Sequence, residues 1–208
     1  MKRVLLSGFE PFGGMSHNSS WDVVEQAAQT ITSAEVHTVL LPVEFRRAAE
    51  LLVQRIGEVE PDVVIAVGLA AGTGTLRLER VGINLRDARI PDNSGAQPVD
   101  EPIDAEGRGA LFSTLRLKAA HARIVEEQIP VQLSLSAGTF VCNDVLYSLL
   151  AAAANADSPT PAGFVHLPDL RTEDAPLAED QAVRALDILI EESLSSAPDA
   201  ALAAGALH

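Results

Sequence analysis

Five consecutive apolar residues, Val63-Val64-Ile65-Ala66-Val67, are followed directly by Gly68. A strand that is apolar on both faces is typical of the middle of a parallel sheet, because helices cover such a sheet on both sides. We therefore expect this segment to be a central strand. The sequence on either side of it should supply the neighbouring strands and the covering helices.

Short apolar runs alternate with helical patterns in both directions from this strand. The apolar runs predict further strands at Val4–Ser7, Val36–Leu41, 131–135 and 163–167. Apolar residues at helical spacing predict helices at 20–31, 45–56, 117–128, 142–156 and 177–194, with Pro176 suited to the first position of the last helix. A short hairpin is expected around Leu76–Asn84. The alternation indicates an α/β fold, in which a mainly parallel, twisted sheet lies between two layers of helices.

Length and charge narrow the classes of protein to consider. The 208 residues suit a single domain, and we expect the Ala-rich tail at 197–208 to be frayed. The 29 acidic residues outnumber the 15 basic ones, and the net charge of −14 argues against nucleic acid or an anionic membrane as partner. One cysteine cannot form an intramolecular disulfide, and no apolar run approaches the ~18 residues of a membrane span. We expect a cytoplasmic protein.

The single cysteine, Cys142, lies where a nucleophile is often found. It follows a predicted strand and begins a predicted helix, in the segment Ser-Ala-Gly-Thr-Phe-Val-Cys-Asn at 136–143. The positive end of a helix dipole favours the thiolate form of a thiol in the first turn. His166 ends another short apolar run, so the two residues form a candidate nucleophile–base pair. The competing interpretation of Cys142 is a small buried apolar residue without a chemical role.

The loop after the first strand, Gly-Phe-Glu-Pro-Phe-Gly-Gly at 8–14, admits three interpretations. It could hold a phosphate, although it lacks the Lys-Ser/Thr of a P-loop and the spacing of a dinucleotide-binding motif. Two Phe residues that flank a Pro could instead form an apolar slot, or they could be core residues beneath a turn. Ligands of α/β proteins bind at the carboxyl ends of strands. This loop, the loop after Val67, Cys142 and His166 all follow such ends, so we expect them to lie close together.

Residues 69–104 interrupt the alternation with a long segment rich in turn-forming residues, and such segments are often functional. Its four aspartates are Asp87, Asp92, Asp100 and Asp104. Their spacing matches no calcium-binding loop, and one cysteine with scattered histidines argues against zinc. We interpret the aspartates as turn formers and expect neither a metal nor a cofactor.

Five motifs follow one another along the chain. They are Gly-Phe-Glu-Pro-Phe-Gly-Gly at 8–14 with Asn18 nearby, Leu-Glu-Arg-Val-Gly-Ile-Asn at 78–84, Asp-Ala-Arg-Ile-Pro-Asp-Asn at 87–93, Ala-Gly-Thr-Phe-Val-Cys-Asn at 137–143 and His-Leu-Pro at 166–168. These motifs resemble those of the pyroglutamyl peptidase I family, also called pyrrolidone-carboxylate peptidases. The resemblance runs from about residue 3 to about residue 190, with the motifs in the same order and at similar spacing. Together the five are far more specific than any one of them.

The resemblance implies an α/β/α fold of the phosphorylase/hydrolase type. It also implies a cytosolic cysteine peptidase, commonly a homotetramer, that removes an N-terminal pyroglutamyl residue from peptides. Cys142 would be the nucleophile, His166 the general base and then the general acid, and Glu79 the group that orients His166. The backbone N–H of Cys142 is one candidate donor of the oxyanion hole. The resemblance adds Arg89 as the second, and the alternative role of Arg89 is a structural salt bridge.

The pyroglutamyl group that this resemblance implies as substrate is a neutral lactam without a free amine. Its pocket should be apolar, with one acceptor for the ring N–H and one donor for the ring C=O. We expect the walls to be formed by Phe9, Phe12, Phe140 and Val141, and the polar contacts by the backbone near Asn18. A charged amine in this slot would lose its hydration without gaining a partner, which costs several kcal/mol.

The chain departs from the family pattern at three positions. Thr73 stands where members often carry Arg, Gly82 where Ala is usual, and Asp144 where a His often follows the Cys-Asn pair. Asp144 suits the first turn of a helix, but close to the sulfur it would disfavour the thiolate. Two alternatives to a peptidase stay open: a phosphate- or small-molecule-binding protein that uses residues 8–14, and a non-catalytic relative that keeps the fold.

Overall fold

The strand predicted at Val63–Val67 lies in the middle of a six-stranded sheet. The computed structural model describes residues 1–155 and 159–205. In them the strands are β1 (Arg3–Phe9), β2 (Glu35–Leu41), β3 (Val63–Leu69), β4 (Leu76–Glu79), β5 (Val81–Ile83), β6 (Ala110–Phe112), β7 (Val131–Ser134) and β8 (Ala162–Leu167). The helices are α1 (Ser19–Thr30), α2 (Arg47–Val59), α3 (Leu117–Glu126), α4 (Val141–Asn155) and α5 (Glu179–Ser193). The order in the main sheet is β2-β1-β3-β8-β4-β7.

The pairing of the strands confirms the mainly parallel sheet. The neighbours β2–β1, β1–β3, β3–β8 and β4–β7 are parallel. The pair β4–β8 is antiparallel. Strands β4 and β7 therefore run opposite to the other four, and this reversal affects how the site is assembled.

The hairpin predicted around Leu76–Asn84 is wrong. Strand β4 lies between β8 and β7 in the main sheet, whereas β5 pairs with β6 in a separate two-stranded sheet. Only Arg80 separates β4 from β5, and a hairpin loop usually needs about two to five residues. The chain therefore passes from one sheet into the other instead of folding back.

Alternate side chains of the strands point into two apolar layers. Val4, Leu6 and Val165 belong to the layer that α1, α3 and α5 cover, here called the α1/α3/α5 layer. Leu5 and Phe164 belong to the layer on the other side, which α2 and α4 cover, here called the α2/α4 layer. Every residue of β3 is buried, which confirms that this strand is central and covered on both faces.

The predicted helices are present at nearly the same residues, but Pro176 is not the first residue of the last one. The side chain of Gln181 accepts a hydrogen bond of 3.0 Å from the backbone N–H of Ala178, and this contact fixes the start of α5 at Glu179. Pro176 therefore precedes the helix. The predicted end of the Cys142 helix, at residue 156, lies outside the described residues.

The C-terminal segment contacts α3. The Asp199 carboxylate accepts hydrogen bonds from the backbone N–H groups of Lys118 at 3.1 Å and Ala119 at 2.9 Å. It thereby caps a helix whose own N-cap residue, Arg116, supplies no side-chain bond. Residues 206–208 lie outside the described residues. In the part of the chain that is described, no helix has the length and apolar character needed to cross a bilayer.

Candidate active site

Three residues predicted from the sequence, Cys142, His166 and Glu79, come together in the α2/α4 layer. Cys142 is the second residue of α4, and its partly exposed side chain packs against this layer. His166 is on β8 and its ring contacts that of Phe164, with 4.7 Å between the centroids. Glu79 ends β4 and is fully buried. The cysteine is therefore beside the histidine and carboxylate with which a catalytic triad could be formed.

Gly68 makes room for this arrangement. It lies directly beside His166 in the parallel register of β3 and β8. A methyl group at this position would be 2.7 Å from the Phe164 ring and 3.0 Å from the Cys142 sulfur. The glycine that ends the apolar run is therefore required for the thiol to approach the sheet.

The sequence predicted that the site residues all lie at the carboxyl ends of parallel strands, and this is true of only part of the site. The loops after β1 and β3 do meet His166 at the carboxyl ends of parallel strands. Strand β7 is parallel to β4, and β4 is antiparallel to β8. The end of β7 therefore points to the opposite edge of the sheet, and the segment 135–140 carries the chain back to Cys142. The proximity was predicted correctly, but the reason given for Cys142 was wrong.

The antiparallel register of β4 and β8 positions the carboxylate. Glu79 is paired with Phe164, one diagonal step from His166 on the same face. Its Oε1 atom is 2.8 Å from Nδ1 of His166. The imidazole edge that carries Nδ1 is therefore held by Glu79, and the other ring nitrogen is left for the thiol.

Two opposing influences set the protonation of His166. Burial disfavours the charged imidazolium and on its own lowers the pKa. The negative charge and hydrogen bond of Cys142, followed by those of Glu79, outweigh burial and raise the pKa of His166 from 6.5 to about 9. At neutral pH His166 is therefore in the protonated, imidazolium form.

A pocket of about 260 Å³ opens beside the thiol, and its walls are mostly apolar. All four predicted wall residues line it, namely Phe9, Phe12, Phe140 and Val141. The Phe140 ring is held edge-on by Phe45, with 5.2 Å between the centroids. Residues 8–14 thus contribute aromatic rings to the pocket, which favours the apolar slot over the phosphate cradle.

Asn18 also lines the pocket, but its side chain is occupied by structural bonds. Its Nδ2 donates to the carbonyl of Glu10 at 2.9 Å, and its Oδ1 accepts from the backbone N–H of Ser20 at 3.1 Å. The side chain caps α1 and holds the loop that carries Phe9 and Phe12. Contacts between the backbone near Asn18 and a ligand stay a prediction.

Arg89 is not brought into this pocket. It is exposed and lines a separate shallow depression with Asp87, Ile90, Thr139 and Phe140. Phe140 lines both cavities, whereas Arg89 lines only the second. The role of Arg89 in an oxyanion hole stays a prediction from the resemblance.

Several lining residues were not predicted, and Arg77 is the most polar of them. The others include Val43, Leu69, Ala70, Ser136 and Gly138. A signal for Arg77 was present in the sequence, because residues two apart on a strand share a face and Glu79 was already a candidate. The alternation Leu-Arg-Leu-Glu at 76–79 places both polar residues on the face of the α2/α4 layer.

Asp144 points away from the thiol. Its Oδ1 accepts from Arg86 at 2.7 Å, and its Oδ2 accepts from the backbone N–H of Arg46 at 2.7 Å. Arg86 is 4% exposed and Asp144 is fully buried. The aspartate therefore ties α4 to the segment that carries Arg86 and to the start of α2. Arg46 has a φ of 63°, outside the helical region, so α2 begins at Arg47 and not at residue 45.

Replacing Asp144 with Ala should destabilise the fold by roughly 3–5 kcal/mol, because it leaves the Arg86 charge buried and unpaired. The free energy of unfolding from urea denaturation measures this loss. Asp22→Ala is the matched control, since the Asp22–Arg171 pair is partly exposed and should contribute less than about 1 kcal/mol. Equal losses in the two variants would contradict a structural role for the buried pair.

Two of the four aspartates in the segment 69–104 accept hydrogen bonds from nearby backbone N–H groups and so stabilise turns. Asp92 is buried, and its Oδ1 accepts from the backbone N–H groups of Ser94 and Ala96 at 2.9 and 2.8 Å. Asp104 accepts from the backbone N–H of Glu106 at 3.0 Å. Among the described residues, no group of three or more His, Cys, Asp or Glu side chains is arranged to hold a metal ion.

Comparisons of this chain with a family model, with curated sequences and with solved structures all point to the same family. The family described as Pyroglutamyl peptidase matches residues 2–195. Pyrrolidone-carboxylate peptidases of Chromobacterium violaceum and Clavibacter michiganensis are 45% and 44% identical, with 100% of each chain covered. The crystal structure of pyroglutamyl peptidase I from Bacillus amyloliquefaciens has a TM-score of 0.91 at 36% identity and covers 97% of this chain and 99% of its own. Pyrrolidone carboxyl peptidase from Thermococcus litoralis has a TM-score of 0.87 at 34% identity, with 93% and 94% covered.

These matches extend over nearly the whole chain and include the five motifs that suggested the relationship. The residues that form the site described above, from Phe9 to His166, all lie within the matched range 2–195. This chain belongs to the pyroglutamyl peptidase family of cysteine peptidases.

Proposed function

We propose that this chain hydrolyses the amide bond after an N-terminal pyroglutamyl residue, with Cys142 as nucleophile, His166 as acid and base, and Glu79 as the group that orients His166. The observation that carries the proposal is the 2.8 Å contact of His166 with Glu79, with His166 and Cys142 lining the same apolar pocket. This arrangement supports the chemistry of the family and uses residues at the expected positions of its motifs.

The reaction follows from the charges in the site. The Cys142 thiolate attacks the carbonyl carbon of the pyroglutamyl group, and the carbonyl oxygen becomes an oxyanion. The C–N bond breaks as the imidazolium of His166 gives its proton to the departing amine, which leaves a thioester on Cys142. A water molecule then gives a proton to His166 and attacks the thioester. Pyroglutamate leaves and the thiolate is restored.

The start of α4 offers one donor for the oxyanion. The N–H groups in the first turn of a helix have no acceptor within the helix, and Cys142 is the second residue of α4. Its N–H lies at the positive end of the helix dipole, and such a donor typically contributes ~3–4 kcal/mol to transition-state stabilisation. Arg89 is retained as the proposed second donor, from the resemblance alone.

The pocket supports selectivity for a lactam. Aromatic walls from Phe9, Phe12 and Phe140 suit a small neutral ring. Neither Phe9 nor Phe12 offers a charge that could accept a protonated N-terminal amine, so such a group would lose hydration at a cost of several kcal/mol. A pyroglutamyl residue carries no such charge.

The test is hydrolysis of a pyroglutamyl-coumarin amide by the purified, reduced protein, with the prolyl-coumarin amide as control. We expect turnover of the pyroglutamyl substrate alone and its loss after treatment with iodoacetamide. The absence of turnover by folded protein with a titratable thiol would refute the peptidase proposal. In that case, an increase in melting temperature with inorganic phosphate would favour the phosphate-binding alternative.

Two finer features belong to the same proposal. A cytoplasmic location fits a mechanism that needs a reduced thiol, because oxidising compartments promote oxidation and disulfide exchange of reactive cysteines. A homotetramer rests on the resemblance to the family. Light scattering of the purified chain would measure its mass directly.

A further inference from the structure

Arg77 is a cation in the pocket that the proposed mechanism leaves without a task. Its side chain lines the pocket with Cys142 and His166 and is only partly exposed. Its Nε–H is buried and has no hydrogen-bond partner among the described residues. The sequence has 29 acidic residues and 15 basic ones, yet Arg77 forms no ion pair within 1–155 and 159–205. A buried, unpaired donor of this kind is costly.

The register places Arg77 next to the group that protonates the leaving amine. Arg77 is paired directly with His166 across the antiparallel strands β4 and β8, so the two side chains emerge side by side from the same face. Gly68 flanks His166 on the other side and has no side chain. Arg77 is therefore the polar neighbour of His166 within its sheet, beside the group that would give a proton to the departing amine.

Taking the peptidase proposal as its basis, we propose that Arg77 binds a carboxylate on the residue that follows the scissile bond. The α-carboxylate of a pyroglutamyl dipeptide is one source of this group, and an acidic side chain at the same residue is the other. A guanidinium forms bidentate, charge-assisted bonds with a carboxylate, and the Arg77 side chain is partly exposed in the pocket and has no ion-pair partner among the described residues. The net charge of −14 repels anionic peptides, so a local cation is needed to retain them.

Two other roles for Arg77 make different predictions. A donor to the oxyanion would act on every substrate equally, because all substrates form the same oxyanion. A residue that acts only on the charge of His166 would shift the pH profile for neutral and anionic substrates alike. Recognition of a carboxylate changes the ratio between an anionic substrate and its neutral analogue, which neither alternative does.

The experiment compares two matched pairs of substrates at constant ionic strength. One pair is pyroglutamyl-alanine and its C-terminal amide, which tests the α-carboxylate. The other is pyroglutamyl-glutamic acid α-amide and the corresponding glutamine amide, which tests the side-chain carboxylate. We expect kcat/KM to be about 10-fold higher for the anionic member of at least one pair, mainly through a lower KM.

Three variants complete the experiment. Arg77→Met should bring the ratio of kcat/KM between the anionic and the neutral substrate close to one. Arg77→Lys should keep a part of the preference for the anionic substrate, because the charge remains. Arg55→Met removes the same charge from the surface of α2, where Arg55 pairs with Glu58 at 2.8 Å, and should keep the wild-type ratio. The melting temperature of each variant shows whether it is folded.

Each outcome is decisive. Ratios of one for both pairs in the wild type overturn the inference, even if Arg77→Met fails to fold. A wild-type ratio that survives in Arg77→Met also overturns it, as does an equal loss on all four substrates. If the wild type hydrolyses none of the four substrates, the peptidase proposal itself fails. If it hydrolyses all four at the same rate, the inference about Arg77 alone fails.

Discussion

Cys142→Ser should lower kcat/KM for the pyroglutamyl-coumarin amide by at least about 10⁴-fold. A serine hydroxyl is not ionised at neutral pH and gives His166 no negative charge, so the ion pair that raises the pKa of His166 to about 9 is lost. The variant keeps almost the same volume in the α2/α4 layer and should stay folded. Initial rates at saturating and limiting substrate, with the melting temperature as a check, measure the effect.

Removing the imidazole of His166 should lower kcat/KM by a similar factor, and the effects of the two substitutions should not be additive. Residues that act as one unit give a double variant that is little worse than either single variant. Ser148→Ala is the matched control, because Ser148 lies on the same helix but lines a different cavity, with Arg86 and Ile103. Its activity should stay within about 2-fold of wild type. If Cys142→Ser kept more than a hundredth of the activity, as a rough bound, another nucleophile would have to be sought.

The sequence was sufficient to predict the elements that have a clear period. The run at Val63–Val67 identified the central strand, and the alternation around it predicted a mainly parallel sheet with helices on both faces. The direction in which each strand runs could not be predicted from this pattern. Strands β4 and β7 are reversed relative to β8, and the apolar pattern of a strand is the same whichever way the strand runs.

The residues of the site could also be predicted only in part. The motifs pointed to Cys142, His166 and Glu79, and the structure places these three together. The position of Arg89 depends on how the loop around residues 84–104 is folded, which is set by long-range contacts such as Arg86–Asp144 and not by local pattern. Arg77 was not predicted, although its spacing from Glu79 places both side chains on one face of the strand.

Glu79→Gln should lower kcat on the order of 10²- to 10⁴-fold and move the alkaline limb of the kcat/KM profile to lower pH. Glu79 is fully buried, and its Oε1 lies 2.8 Å from Nδ1 of His166. A neutral amide can donate to Nδ1, which would place the proton of the neutral imidazole on Nε2, so that His166 could no longer accept a proton there from the thiol or from the attacking water. Loss of the negative charge also removes one of the causes that raise the pKa of His166.

The direction of the pH effect follows from this pKa. In the wild type, activity should fall as the pH rises through about 9, because His166 loses the proton that the leaving amine needs. Without the Glu79 charge, the imidazolium loses its proton at lower pH, so the fall should begin earlier. Profiles of kcat/KM between pH 5 and 10 for the two proteins, on the same neutral substrate, test this expectation.

The pH dependence of the free energy of unfolding is an independent test of the interaction between Glu79 and His166. The pKa of His166 is about 9 in the folded protein and 6.5 for an unperturbed histidine. Its ion-pair contribution is therefore fully present below pH 6.5 and is lost as the pH rises through about 9. The free energy of unfolding should decline over this window in the wild type and decline less in Glu79→Gln. Glu58→Gln, an exposed substitution on α2, should keep the wild-type slope and the wild-type activity profile; if Glu79→Gln did the same, Glu79 would have no charge coupling to His166.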